Sequence, residues 1–219
     1  MFLCSYQGDT RNNIVVHEEV NNEAILFSFK SKAFFGKKKA TVKVEDSDWS
    51  EKFSLDVVGS SGSVLCKAPN RNYQVGVDNQ LSNSGLTKIV VFTPFYTILN
   101  KASYDMEVAE VDVAKAEWFT VLAGESIGWW PVGAKREVFV RVRGTMDTTP
   151  AFPYDRPLST VLALPNMYGG ILGEVDMKES GVVVQFDQYF EGAAPALFIN
   201  HLRDTSIALW QQGHDENVR

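Results

Sequence analysis

The sequence has few of the residues that build metal and redox sites. Its 219 residues include only two cysteines and three histidines. Neither Cys4 nor Cys66 lies in a C-x-x-C pair or close to histidines or acids at metal-ligand spacing. None of the histidines belongs to an H-E-x-x-H or H-x-H pattern. We therefore expect no metal and no cofactor, and we expect two reduced thiols, as in an intracellular protein.

Long apolar runs and an excess of basic residues are also missing. No apolar stretch approaches the length of a membrane span, about 18 residues. The first residues, MFLC, lack the basic and apolar regions of a secretory signal. The net charge is −6, and the densest basic run is the three lysines at residues 37–39. We therefore expect no transmembrane segment, and neither nucleic acid nor an anionic membrane surface as the main partner.

Catalytic motifs are equally scarce. There is no G-x-S-x-G sequence, and the glycine-containing segment at residues 59–62 lacks the Lys-Ser/Thr pair of a phosphate loop. Acid pairs such as Asp46 and Asp48 are typical of solvated loop charge, although paired carboxylates in a glycosidase-like sandwich remain an alternative. The sequence therefore predicts a protein that is not an enzyme.

What the sequence does contain is a repeated alternation of apolar and polar residues. Residues 41–45, 73–77 and 137–143 alternate with the period of two that is typical of half-buried strands. Shorter apolar runs, including residues 24–29, 196–199 and 207–210, are further strand candidates. Turn residues separate these segments, and no window shows a sustained helical period. The pattern predicts an all-β fold made of antiparallel β-sandwich repeats.

A weak internal repeat points to a tandem arrangement. KIVVF leads through a proline to Asn100, and GVVVQF leads through Pro195 to Asn200. The order of features predicts sandwich repeats of about 100 residues, stacked in an array. We divide the chain into the back of one repeat (1–92), a complete repeat (93–194) and the start of a third (195–219). We expect it to be a fragment of a longer protein.

The two asparagines interrupt stretches that otherwise have the apolar pattern of buried strands. Asparagine tolerates left-handed backbone, and its amide can bond to nearby peptide groups. Asn100 and Asn200 are therefore expected to end a strand and to satisfy the groups that the broken ladder leaves open. A purely structural turn residue and a residue that also shapes a ligand surface are both compatible with this pattern.

Trp129 and Trp130 form the second unusual feature, in the sequence GWWP. Neighbouring strand residues face opposite sides, so one tryptophan is expected in the core and the other partly exposed. The exposed ring beside a proline could belong to a groove for an extended peptide, or both rings could simply pack. By residue type and position, Tyr189, Phe190 and Phe198 are further candidates for an apolar binding surface.

A set of segments together resembles one family. The segments are DSDWSEKFSLDVVGSSGSVLCK (46–67), NYQVGV (72–77), LTKIVVFTPFYTILNK (86–101), GWWP (128–131), GGILGEVD (169–176) and FDQYFEGAAPALFINH (186–201). They are similar to the adaptor-binding domain of the vacuolar protein sorting-associated protein thirteen family, the bridge-like lipid transporters. The similarity extends over most of residues 24 to 210.

The resemblance implies a domain of six β-rich repeats, each marked by one characteristic asparagine, a position that Asn100 and Asn200 match. It implies that loss of these asparagines damages adaptor engagement, and that the chain covers late repeats without the lipid-conducting groove. It also implies partners: proline-x-proline motifs of membrane adaptor proteins, beside the neighbouring repeats of the parent chain. The implied location is cytoplasmic and peripheral, at organelle membranes and membrane contact sites.

We therefore expect a non-enzymatic module that captures a proline-containing peptide by pairing with a strand edge and by apolar pockets. Asn100 and Asn200 are the expected structural supports. Two other hypotheses remain. A carbohydrate-binding or glycosidase-like sandwich would be detected by a glycan array or an activity screen. A purely structural spacer would bind proline-x-proline peptides no better than scrambled ones.

Overall fold

The computed structural model describes residues 2–6, 14–17, 24, 39–113, 117–194, 196 and 198–209. The chain forms two compact units, Met1–Tyr189 and Phe190–Arg219. All of the strands of the described residues lie in the first unit. They are β1 (Phe2–Tyr6), β2 (Ile14–His17), β3 (Lys39–Val44), β4 (Phe53–Ser54), β5 (Ser61–Lys67), β6 (Asn72–Leu81), β7 (Lys88–Pro94), β8 (Tyr96–Asn100), β9 (Met106–Glu110), β10 (Phe119–Val121), β11 (Ser126–Trp129), β12 (Glu137–Val142), β13 (Phe152–Pro153), β14 (Leu158–Ala163), β15 (Gly170–Lys178) and β16 (Gly181–Gln188).

The strands form four sheets. Their orders are β2-β1-β3-β4, β5-β6-β7, β10-β9-β12-β13 and β11-β8-β16-β15-β14. Among the pairings in the described part of the chain, one is parallel: β16 runs alongside β8, with Phe186 opposite Asn100. The other pairings are antiparallel. The sequence did not indicate the parallel pair, because strand alternation is the same in either direction.

The all-β prediction is confirmed. β12 alternates between buried and half-buried positions along its whole length, and so does β3 after its exposed first residue. This is the pattern of a strand with one face on a core. No helix occurs among the described residues, and none of them therefore forms a helix that could cross a bilayer.

The described residues of the first unit form two separate hydrophobic cores. The smaller core comes from β3, β5 and β6 and includes Val42, Cys66 and Val75, all fully buried. The larger core is built from the two sheets that contain β8 to β16, and Phe152 and Phe186 pack edge to face in it with ring centroids 5.7 Å apart. We call the parts around these cores the first module and the second module. The repeat boundaries predicted from the sequence stay a prediction.

The two modules are in direct contact. The Phe95 N–H, at the start of the second module, donates to the Gln74 carbonyl of β6 (3.0 Å). The Trp130 ring packs edge to face on Tyr73 of the first module, with centroids 5.3 Å apart. Gly76 of β6 faces the backbone of Ser180, in the turn between β15 and β16. These contacts fix how the first module sits on the second.

The strand predictions at residues 196–199 and 207–210 were wrong for the residues that the structure describes. Ala196, Phe198, Ile199 and residues 207–209 lie outside any strand, whereas Leu197 and Trp210 fall outside the described residues. A strand needs a hydrogen-bonding neighbour, and none of the sheets formed by the described residues includes these segments. Their apolar side chains are exposed, Phe198 by 71%. Residues 24–29 were also predicted as a strand, and residues 25–29 lie outside the described residues.

Candidate functional site

Asn100 closes β8, and its side-chain amide bonds to three backbone groups. Nδ2 donates to the carbonyls of Tyr104 (2.9 Å) and Val121 (3.0 Å). Oδ1 accepts the N–H of Ala102 (3.0 Å). One side chain therefore satisfies a carbonyl of β10 and two peptide groups of the turn that follows β8.

The backbone around Asn100 joins two further segments. The Asn100 N–H donates to the Glu125 carbonyl (2.9 Å), and the Lys101 N–H donates to the Phe186 carbonyl (2.8 Å). Asn100 is only 1% exposed. The corner formed by Asn100 therefore ties β8, β10, β16 and the turn before β11 together in a place where water does not replace lost bonds.

Asn200, in the second unit, repeats the local part of this pattern. Its Oδ1 accepts the N–H of Leu202 (2.9 Å), two residues ahead, as Asn100 does with Ala102. Its Nδ2 donates to the Thr205 carbonyl (2.8 Å). Asn200 is exposed, whereas Asn100 is buried. The two asparagines thus share a turn geometry, and only Asn100 adds a bond to a neighbouring strand among the described residues.

The two tryptophans face different cores, as strand alternation predicts. Trp129 is 8% exposed and belongs to the larger core, where it packs on Tyr154 with ring centroids 4.8 Å apart. Trp130 is half-buried and packs against the smaller core. Trp130 is therefore the tryptophan that exposes part of its ring at the surface. Trp129 is buried and can only support that surface from the core.

Trp130 lines a groove of about 430 Å³ between the two modules. One wall is the turn between β5 and β6, which contributes Pro69 and Arg71. The other wall is the segment after β11, which contributes Trp130, Pro131 and Arg136. Aromatic and proline rings therefore line this groove together with two guanidinium groups, and none of the described residues contributes an acidic side chain to it.

Two carboxylates hold the second wall in place. Glu110 accepts the N–H of Val132 at both oxygens (3.1 Å each) and the N–H of Gly133. Asp112 accepts the N–H groups of Ala134 (2.8 Å) and Lys135 (3.0 Å) through one oxygen. The Lys135 N–H, together with that of Ala134, lowers the pKa of Asp112, so the Asp112 carboxylate stays charged at neutral pH. This wall is therefore formed before any ligand arrives.

Arg136 ends this wall in an uncommon backbone conformation. Its φ is 57°, in the left-handed region that side chains other than glycine rarely occupy. Its guanidinium carbon lies 5.5 Å from the centroid of the Tyr96 ring. Behind it, burial raises the pKa of Tyr154, which therefore stays neutral beside the guanidinium. The Tyr154 hydroxyl and Arg136 Nη1 are both buried, and the two side chains interact with each other.

The residues predicted from the sequence do not form one cluster. In the β8–β11 pair, Trp129 lies opposite Tyr96, at the other end of β8 from Asn100. Four strand residues span about 13 Å, so Asn100 supports the strand that carries Tyr96 and does not line the groove. Tyr189 is half-buried in the first unit, and Phe190 and Phe198 are exposed residues of the second unit. The part of all seven in binding stays a prediction.

Sequence reasoning missed Tyr96, Arg71 and Arg136. Tyr96 has the pattern of any strand aromatic, and both arginines look like solvated charge in the sequence. Only the packing of one module on the other places them around the same groove. A left-handed backbone at arginine leaves no signal in the sequence.

Reactive chemistry is not apparent at the described residues. Cys66 is fully buried, its thiol donates to the Val42 carbonyl (3.3 Å), and burial raises its pKa. A thiol in that state is a poor nucleophile. No three histidine, cysteine or acidic residues of the described ranges come together in a way that could hold a metal ion. What the groove offers is a surface for binding.

The chain is similar to proteins of intermembrane lipid transfer. Residues 6–150 match the family model described as "Vacuolar-sorting associated protein 13, adaptor binding domain". The chain is 39% identical over 209 residues to "Intermembrane lipid transfer protein VPS13C" of Mus musculus and, equally, of Homo sapiens, which covers 93% of the chain. It is 36% identical over 192 residues, 87% of the chain, to "Intermembrane lipid transfer protein VPS13A" of Mus musculus.

In each of these three relatives the match covers 6% of the relative's own length. The similarity therefore concerns one part of a much longer protein. The family model covers well over half of the present chain. The chain accordingly belongs to the family of the vacuolar-sorting associated protein 13 adaptor-binding domain.

Proposed function

We propose that the chain is a non-enzymatic module that captures proline-x-proline motifs of membrane adaptor proteins. Capture would recruit a lipid transfer protein, of which this chain is one part, to organelle membranes and membrane contact sites. The observation that carries this proposal is the match to an adaptor-binding domain over residues 6–150. In this proposal the module itself is cytoplasmic and peripheral to the membrane.

The groove between the modules supports this proposal. Proline-rich peptides adopt an extended helix before they bind, so they lose little conformational entropy on docking. Their rings pack well on aromatic surfaces. Trp130 and Tyr96 are both half-buried and line the groove, so each offers part of an aromatic face to a proline. Glu110 and Asp112 hold the loop from Val132 to Lys135 in place, so the groove wall that contains Trp130 is already formed without a ligand.

A strand edge without a pairing partner among the described residues gives a second element of the mechanism. Among the described strands, β7 ends the three-stranded sheet, and it leads through Phe95 into Tyr96 of the groove. An edge strand presents unpaired N–H and C=O groups with which an extended peptide can form a ladder. Main-chain pairing would supply affinity, and the aromatic surface would select the prolines.

A short motif bound in this way is expected to have a dissociation constant in the micromolar range, which corresponds to a binding free energy of about −8 kcal/mol. Such binding is reversible. Other membrane contacts of the parent protein would strengthen it by avidity, because the second contact then forms at a high effective concentration.

Relocation in cells tests the proposal. The chain, fused to a fluorescent protein, is expressed with a Pro-Ala-Pro peptide anchored to the outer surface of mitochondria. We expect the fluorescence to move from the cytosol to mitochondria with this peptide and to stay in the cytosol with an Ala-Ala-Ala version. Equal distribution with the two peptides would contradict the proposed function.

A further inference from the structure

Neither of the two arginines in the groove has a carboxylate partner among the residues that the structure describes. Arg71 lies in the exposed turn between β5 and β6, and Arg136 ends the opposite wall. The ion pairs of the described residues involve other cations: Arg141, Arg143, Arg156 and Lys178. In the part of the chain that the structure describes, no acidic side chain lines the groove, although the whole chain carries a net charge of −6. The groove is therefore a local positive site on an acidic protein.

Two acids close to the groove, Glu110 and Glu45, are already engaged. Glu110 acts on Arg136 electrostatically, but its oxygens accept the N–H groups of Val132 and Gly133. Glu45 accepts the Tyr73 hydroxyl (2.9 Å), next to the turn that carries Arg71. Neither carboxylate lies within ion-pairing distance of Arg71 or Arg136 among the described residues.

Arg136 is held as a preformed donor. Its backbone is fixed in the left-handed region, its guanidinium lies over the Tyr96 ring, and the Tyr154 hydroxyl sits beside it. A guanidinium has five N–H donors, and Nη1 is buried next to the Tyr154 hydroxyl, so a ligand in the groove would use the other donors. An arginine in a half-buried site of this kind favours a carboxylate, which can accept two parallel N–H bonds.

We propose that the groove between Arg71 and Arg136 binds an acidic side chain of an extended peptide whose neighbouring proline packs on Trp130. This inference rests on the proposed function and adds a charge requirement to it. A proline-x-proline motif flanked by glutamate or aspartate would then bind better than one flanked by neutral residues. Charge would select among proline-containing segments that the aromatic surface alone would not distinguish.

Three labelled peptides test the requirement by fluorescence anisotropy. The first has a Pro-Ala-Pro core with one glutamate on each side, the second has glutamines in place of the glutamates, and the third keeps the glutamates around an Ala-Ala-Ala core. The wild-type chain is expected to bind the glutamine peptide about 10-fold more weakly than the first peptide, because it loses a charge-assisted contact. Raising the salt concentration should shrink this difference.

The variant for this test is Arg71→Gln, since Arg71 is exposed and its replacement leaves both cores intact. We expect the glutamate peptide to keep less than about a 3-fold advantage with this variant. Arg156→Gln is the matched control, because Arg156 is also exposed, its side chain by 65%, and lies outside the groove. It should retain the full 10-fold difference.

Failure of this inference and failure of the proposed function give different results. Equal binding of the glutamate and glutamine peptides to the wild-type chain would overturn the charge requirement and leave proline capture intact. The same holds if Arg71→Gln keeps the whole difference. Equal binding of the Pro-Ala-Pro and Ala-Ala-Ala peptides would overturn proline capture. If no peptide binds, both proposals are overturned.

Discussion

Replacing Asn100 by serine is expected to lower the free energy of unfolding by about 2–4 kcal/mol. The shorter side chain cannot reach the carbonyls of Tyr104 and Val121 together, and both are bonded to Asn100 Nδ2. The site is buried, so water does not replace the lost donor. Urea denaturation measures the effect as a lower midpoint at an unchanged slope. The same substitution should also weaken peptide binding, because β8 begins with Tyr96, which lines the groove.

Asn200→Ser provides the matched comparison. Asn200 makes the same turn bond to the residue two positions ahead, but it is exposed. Its replacement is expected to change stability by less than about 1 kcal/mol. The sequence resemblance nevertheless predicts weaker capture for this variant too. If the Asn100 variant is as stable as the wild type, the hydrogen bonds around Asn100 do not stabilise the fold as proposed. If both variants keep the wild-type peptide affinity, the asparagines have no part in the binding mechanism.

Gly76→Ala is expected to cost about 3 kcal/mol. A Cβ at this position would overlap the backbone oxygen of Ser180 and would lie 2.8 Å from Thr93 Oγ1. Because a backbone oxygen cannot rotate away, the β15–β16 turn must move relative to β6. The added methyl group therefore pushes the second module away from the first. Chemical denaturation measures the loss of stability, and a weaker affinity for the Pro-Ala-Pro peptide would report the change in groove width.

Gly62→Ala is the control for this substitution. Gly62 lies in β5, opposite Val77, next to the pair formed by Ser63 and Gly76. A Cβ at Gly62 meets no atom within 4 Å. Alanine restricts the unfolded chain more than glycine does, so this variant should be as stable as the wild type or slightly more stable. If Gly76→Ala were as stable as Gly62→Ala, the contact between the modules would not be as close as described.

Much of the architecture could be predicted from the sequence because a strand with one face on a core leaves a period-two pattern. Residues 137–143 have this pattern, and β12 has the expected burial. The same reasoning failed at residues 196–199. Apolar residues there satisfy the pattern, yet a strand also needs a neighbour with which to form a ladder, and no pattern within one segment reports that neighbour.

The candidate site was harder to predict than the fold. Asn100 stands out because an amide interrupts an apolar run, and Trp130 stands out as one of two adjacent tryptophans. Arg71 and Arg136 carry no such signal, since they are far apart in the chain and each resembles solvated charge. They line the same groove only because β6 and the second module are in contact. Contacts of this kind depend on three-dimensional packing rather than on local sequence.

The central claim is that this module recognises prolines in an extended peptide. The most direct test is an anisotropy titration of the purified chain with a labelled Pro-Ala-Pro peptide and with its Ala-Ala-Ala counterpart of equal charge and length. The account predicts a dissociation constant in the micromolar range for the first peptide and binding at least about 10-fold weaker for the second. Equal affinities for the two peptides would contradict it.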